Sequence, residues 1–415
     1  MDDGEILLIG CYTPHSGGGR GEGIIAAGRD PRSGALRPAG VVARTPSPSF
    51  LAWHPTLPVV YAANELPDGA VSAWRFVDGR VEAARHASTG GESPCHLCVT
   101  PDGRYLLASN YGSGSIALLA LDDDGAIRGR TDLLAHEGHG PDPDRQASPH
   151  AHMVSAPPKW AVSPSRTSVS AAAFGSGTAP GSGPGVDVAA GCDASPASSA
   201  HPDPGGTPDP GVEGGYGAGA LLAVDLGTDS IYPYAIAHDR LVPAAHRIHL
   251  RRGTGPRHLA RHPDGRRVYV VGELDASVTV LQAGERGWHE RHRVAAGARD
   301  GHHQPSAVAV GADGRFVYVA NRDVDTIAVF ALDGERPPEL TAEVDTGGAW
   351  PRDLVLIGDH LYVANERSHT VSIFVVDPDS GVPSPSGDPV SFPSPTCLLA
   401  TPPYAIASVR RFLAG

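Results

Sequence analysis

The residues of this 415-residue chain best equipped for acyl-transfer chemistry are a pair of histidines, two arginines and a carboxylate: His150 and His152 in Ser148-Pro149-His150-Ala151-His152, then Arg257, Glu273 and Arg322. Transfer of an acyl group to water needs a base to activate the water and a cationic donor for the oxyanion that forms at the carbonyl. A histidine or Glu273 suits the first task and an arginine the second. The remaining arginine can hold a carboxylate or phosphate by a bidentate contact that lysine does not reproduce. Any of these residues taken singly is most simply a structural group, so the case for a site rests on their convergence.

The spacing supports convergence. Arg257 and Glu273 flank a Pro263-Asp264-Gly265 turn, so an antiparallel hairpin returns both to one edge of a sheet. His150 and His152 are two apart, which the strand period of two places on the same side of their strand, both able to face a common space. Arg322 closes a similar hairpin in Tyr318-Val319-Ala320-Asn321-Arg322. His258, Asn321 and Glu366 hold neighbouring places at strand starts and ends and are candidate substrate-binding residues beside His150.

These hairpins recur. Proline opens a copy at Pro48, Pro94, Pro149, Pro256, Pro305, Pro351 and Pro395, at intervals of 46, 55, 107, 49, 46 and 44 residues. The long interval contains a Pro/Gly/Ser/Ala-rich stretch from Ala156 to about Ala220, and without it the spacing is regular. Repeats of this length built from short strands indicate an all-β, seven-bladed β-propeller occupying the whole chain as one domain. Three strands before Pro48, at Glu5–Thr13, Gly23–Arg29 and Leu36–Ala43, lack an inner partner. An unaccompanied strand at Pro395–Leu399 supplies it, so the two ends are expected to close one blade together. Return strands end in Asn64-Glu65, Asn110-Tyr111, Glu273-Leu274, Asn321-Arg322 and Asn365-Glu366, which should gather on one face with the proline starts. The low-complexity stretch replaces a turn on the opposite face and is expected to be disordered and remote from the chemistry. Residues 401–415 receive no assignment.

Composition narrows the partners. The net charge of −13 disfavours nucleic acid and anionic membranes, so a bound anion must be met by a local arginine cluster. The single lysine, Lys159, lies in the low-complexity stretch, which excludes Schiff-base chemistry in the propeller. The N-terminal apolar run Ile6–Ile9 is too short for a leader or a span, and five scattered cysteines suit a reducing compartment; a cytoplasmic monomer is expected. Cys95-His96-Leu97-Cys98 has zinc-like spacing without a second pair, Asp122–Gly125 reads as a hairpin turn, and His302-His303 reads as a solvated loop pair, so neither metal nor cofactor is expected.

The pieces Ser148–His152, Leu221–Tyr232, Gly255–Gly265 with Gly272-Glu273-Leu274, Ser109–Ile116, and the Tyr-Val-Ala-Asn ends at Arg322 and Glu366 resemble the seven-bladed propeller lactonase family, of the 6-phosphogluconolactonase and 3-carboxy-cis,cis-muconate lactonizing enzyme type. The resemblance covers nearly all of the chain outside the insertion. It implies a site of one histidine, two arginines and a glutamate, carried over to His152 (His150 being the less fitting match), Arg257, Arg322 and Glu273. It also implies hydrolysis of a small anionic sugar lactone, or cycloisomerisation of a muconate in the same pocket. A propeller used only as a protein-binding platform would not need this charged cluster.

Overall fold

A computed structural model of the chain describes residues 5–15, 18–157, 218–285 and 287–414. Seven antiparallel sheets stand around a central channel, giving a seven-bladed β-propeller. Blade 1 runs Pro48–Trp53, Val59–Asn64, Ala70–Val77, Arg80–Ser88 from the inside out, and blades 2 to 6 repeat this pattern with inner strands Pro94–Val99, Ala151–Ser155, Pro256–Arg261, His303–Val310 and Pro351–Ile357. Blade 7 closes the ring as expected: Pro395–Ala400 is its inner strand and pairs with Glu5–Cys11, which is followed outward by Ile24–Arg29 and Leu36–Ala43.

Each blade is apolar on both faces because both are covered, and the two-residue period divides each strand between two neighbours. In Glu5–Cys11, Ile6 and Leu8 pack toward blade 1, whereas Leu7 and Ile9 pack toward blade 6. Seven apolar clusters result among the described residues, one in each seam between blades. Buried tyrosines of second strands tie neighbouring blades together at the face away from the strand starts: Tyr61 donates to Gly125 O (2.7 Å), Tyr318 to Gly381 O (3.0 Å) and Tyr362 to Gly34 O (2.7 Å).

Several expectations need correction. Residues 403–414 form a helix, Pro403–Ala414, whose Val409 and Phe412 cover the seam between blades 7 and 1, with Phe412 6.1 Å from Phe76. His303 is not a loop residue: it opens the inner strand of blade 5, is buried, and lies 3.0 Å from Glu343, while its neighbour His302 is exposed. The inner strand of blade 3 opens at Ala151, two residues beyond Pro149, because Ala151 and not Pro149 faces the end of the return strand, Asp225. Asp122–Gly125 is a hairpin turn, with Gly125 N donating to Asp122 O. The low-complexity stretch lies, from 158 to 217, outside the described residues; the strands that flank it pair at Ser155 and Leu222. Among the described residues no helix is long and apolar enough to cross a membrane.

Candidate active site

A single structural device brings the site residues together. Every inner strand carries a β-bulge near its start, seen as a register shift between Pro48 and Phe50, Pro94 and His96, Ala151 and Met153, Pro256 and His258, and Pro351 and Asp353. In blade 5 the shift falls between Pro305 and Val308, and in blade 7 it faces Gly10 and Cys11. A bulge inserts one residue without a ladder partner and re-aims its side chain. The inserted residues include Cys95, His152, Arg257 and Arg352. A second position repeats beside it, the residue just past the second strand's bulge partner: Tyr12, Glu65, Tyr111, Glu273, Arg322 and Glu366. Cys95, His152, Arg257, Arg352, Tyr12, Glu65, Tyr111, Glu273 and Arg322 line one cleft of about 190 Å³ at the mouth of the channel, joined by Arg145 from the loop between blades 2 and 3.

Glu273 is the hub. Its Oε1 lies 2.5 Å from Arg145, and its Oε2 lies 2.6 Å from Arg322 and 3.2 Å from Arg257 Nε. The carboxylate side chain is only 3% exposed. Burial works to raise its pKa, but Arg322, Arg257 and Arg145 outweigh burial and hold the carboxyl well below the ordinary range, so it is ionised throughout the neutral region and a poor base. Arg322 also donates to Gln304 O (3.2 Å), and Arg257 donates to Ser306 O. Burial, together with like-charged Arg322 and Arg352, pushes Arg257 down to about 9, which leaves it cationic at neutral pH. Its Nε finds no aligned hydrogen-bond acceptor among the described residues.

His152 is buried beside this cluster, 3.8 Å from the Cys95 thiol through Nδ1. Burial, then Arg257, lowers its pKa well below the usual imidazole value, so the ring is neutral at neutral pH, and among the described residues no ion pair occupies it as the arginines occupy Glu273. Beneath it, His258 stands edge-on at 5.3 Å between ring centroids and His96 at 5.5 Å from His258, both buried; burial and Arg257 push His96 down to about 3 and lower His258 well below the imidazole range. On the other side of the cleft, Tyr12 donates to Glu65 (3.0 Å) and stacks under Arg352, 5.0 Å from its ring centroid. Arg352 also faces Glu366 at 3.8 Å. Burial would lower the Arg352 pKa, but Tyr12, Glu65 and Glu366 more than offset that and keep it charged.

The structure therefore brings His152, Arg257, Glu273 and Arg322 to one cleft. It places the other candidates differently. His150 precedes the bulge, so strand alternation does not carry it into the cleft with His152; its ring stacks on Tyr111 at 4.5 Å and its Nδ1 lies 2.9 Å from Tyr111 O. His258 points into the channel below the cleft. Asn321 is fully buried and donates to Ala296 O at 2.9 Å, pinning the loop that leads into blade 5. Glu366 reaches the cleft only through Arg352. Cys95 lines the cleft, while the Cys98 sulfur, in another direction, accepts from Ala156 N. No group of three or more His, Cys, Asp or Glu side chains able to hold a metal occurs among the described residues.

The sequence reading placed Glu65 and Tyr111 on the site face without naming them as site residues, and it did not name Arg352, Tyr12 or Arg145. Arg352 follows Pro351 as Arg257 follows Pro256, and Glu65 follows Asn64 as Arg322 follows Asn321, so the same register would have found them. Arg145 obeys no repeat and carries no such signal. A larger cavity between blades 4 and 5, with Asp264, Arg267, Arg291 and Glu335 in its lining, is away from this chemistry, and two of its arginines are already paired, Arg267 with Asp264 at 2.8 Å and Arg291 with Glu335 at 2.6 Å.

The molecule is thus a seven-bladed ring with a buried Arg-Glu-His cluster in the mouth of its channel. The family model for the lactonase, 7-bladed beta-propeller, matches residues 6–164 and 217–400, and the chain belongs to that family. The 6-phosphogluconolactonase of Bacillus subtilis (strain 168) is 29% identical over 406 residues, covering 95% of this chain and 97% of the relative. Among solved structures, the Pseudomonas aeruginosa periplasmic gluconolactonase superposes with a TM-score of 0.76 at 24% identity, over 96% of this chain and 99% of that one. A protein from Lactobacillus plantarum does so with a TM-score of 0.76 at 23% identity, over 96% and 100%. These two likenesses are of fold.

Proposed function

We propose that this protein hydrolyses a small anionic sugar lactone, with an activity similar to that of 6-phosphogluconolactonase, and that His152 and Arg257 carry the reaction. The observation that carries the proposal is the convergence of a neutral, buried imidazole and two arginines on one ionised carboxylate in a single cleft at the mouth of the channel. Similarity to the Bacillus subtilis relative over nearly the whole chain supports the same reading.

In this reading His152 takes a proton from water as the oxygen attacks the lactone carbonyl. Arg257 meets the charge that develops on the carbonyl oxygen, within a cleft where water screens it little. As the tetrahedral intermediate collapses, the ring C–O bond breaks and His152 returns its proton to the departing ring oxygen, giving the open hydroxy acid. Glu273 has both oxygens engaged by arginines and so acts as the post that orients Arg257 and Arg322, not as the base. The chemistry calls on side chains and water alone.

The test is kinetic. His152→Gln and Arg257→Lys should each reduce kcat on a lactone substrate by on the order of a hundredfold, within the range for loss of a general base or an oxyanion donor. Near-normal turnover in both folded variants would refute the assignment.

A further inference from the structure

We propose that Arg145 grips the anionic group of the substrate and so sets the preference for a phosphorylated or carboxylated lactone over a neutral one; the inference rests on the lactonase reading above. The cleft contains four arginines, and their surroundings separate them. Arg257 and Arg322 are only 3% and 6% exposed, both are held by the hub and by backbone carbonyls, and Arg257 is already assigned to the lactone carbonyl. Arg352 is 17% exposed and is surrounded by Glu366, Glu65 and the Tyr12 ring, so a second anion placed there would meet two carboxylates. Arg145 alone of the four combines a place in the cleft with substantial access to solvent, its side chain being 35% exposed.

The charge balance points the same way. Around Glu273 three guanidinium groups face one carboxylate, leaving two positive charges on that side of the cleft, whereas Arg352 with Glu65 and Glu366 leaves a net negative charge on the other. A lactone bound with its carbonyl at Arg257 would then set an anionic arm toward Arg145 and hydroxyls toward Tyr12 and Glu65.

Arg145 is also held in readiness. Gln146, next to it, is fully buried and donates through Nε2 to Leu226 O (2.8 Å) and Asp229 Oδ1 (2.7 Å), while Asp142 Oδ1 accepts from Arg145 N at 3.0 Å. Glu273 Oε1 accepts from the guanidinium at 2.5 Å, and among the described residues no other carboxylate pairs with it. An arginine ordered before the ligand arrives loses little further freedom on binding, and its planar fork suits a phosphate or carboxylate. Its origin in a connecting loop, outside the two repeated positions that supply the other nine lining residues, fits a residue that tunes specificity on a fixed scaffold.

The experiment uses the full chain with 6-phosphogluconate and gluconate as binding probes in calorimetry, beside hydrolysis of the two corresponding lactones. The parent should prefer the phosphorylated probe. Arg145→Gln should weaken 6-phosphogluconate roughly 10- to 100-fold, as expected for lost charge-assisted hydrogen bonds, and gluconate by less than about threefold. Arg145→Lys should recover part of the loss, and kcat/KM should divide between the two lactones in the same way. Equal losses on both probes would make Arg145 only a prop for Glu273 and overturn the proposal, as would a parent that binds neither probe or binds both alike. Selective binding lost in Arg145→Gln in a parent that opens no lactone would uphold Arg145 as the anion grip and sink the lactonase reading instead.

Discussion

Replacing Glu273 with glutamine keeps the shape of the hub and removes its charge, which leaves Arg257 and Arg322 buried in the cleft without their main counter-ion. Removing one partner of a buried ion pair costs about 3–5 kcal/mol, because the other charge stays desolvated. Arg145, at 35% exposed, adds little, since water can take over its solvation. For a chain of this size that loss corresponds to a fall in melting temperature of roughly 3–6 °C. Turnover should fall at least about a hundredfold, as the arginines lose the post that orients them. The same argument requires rescue: phosphate added to Glu273→Gln should raise its melting temperature more than it raises the parent's, by standing in for the missing carboxylate. The assay is thermal denaturation of parent and variant with and without phosphate, with turnover measured on the same preparations. A variant as stable and as active as the parent, or one indifferent to phosphate, would refute the view of Glu273 as the electrostatic hub.

Two further outcomes follow from other parts of the molecule. His96, His152 and His258 are all held below the ordinary imidazole pKa by burial, so the unfolded chain takes up protons that the folded one refuses; stability should be full above about pH 6.5 and fall as the pH drops below it, by up to about 4 kcal/mol per pH unit for the three together, and denaturation curves that do not move between pH 7 and pH 5 would contradict this. Joining Pro157 to Ala218 by a short glycine-containing turn should leave melting and turnover close to the parent's, because Arg261 already clasps the flanking strands through Ala220 O (2.8 Å) and Ser155 O (3.3 Å) at the end of the hairpin away from Asp225 and the cleft; a loss of activity beyond about tenfold, near 1.4 kcal/mol of barrier, would show that the excised stretch reaches the site.

The ring and its closure were legible because each blade repeats one pattern, a proline-led inner strand followed by an apolar second strand ending in a polar residue, and repetition multiplies a weak local signal. What alternation could not supply was the bulge. Counting by two put His150 and His152 on a common face, yet the extra residue after Ala151 hands the cleft to His152 and leaves His150 stacked on Tyr111. The same device explains Arg352, overlooked although it holds the place of Arg257 two blades on. The terminal helix also had its signal in Pro403, since proline suits the first turn of a helix, followed by an alanine-rich amphipathic run. Arg145 was not legible at all: it belongs to a loop whose shape depends on Gln146 reaching Leu226 and Asp229, partners about 80 residues away in sequence.

The mouth of this propeller is expected to open an anionic lactone ring. Proton release in a pH-stat, measured for 6-phosphogluconolactone, unphosphorylated gluconolactone and a carboxymuconate side by side, tests it most directly. The expected result is catalysed acid release from the phosphorylated lactone, slower release from the neutral one and no conversion of the muconate. Lactones that open only at their spontaneous rate, or a muconate that cyclises while they do so, would contradict it.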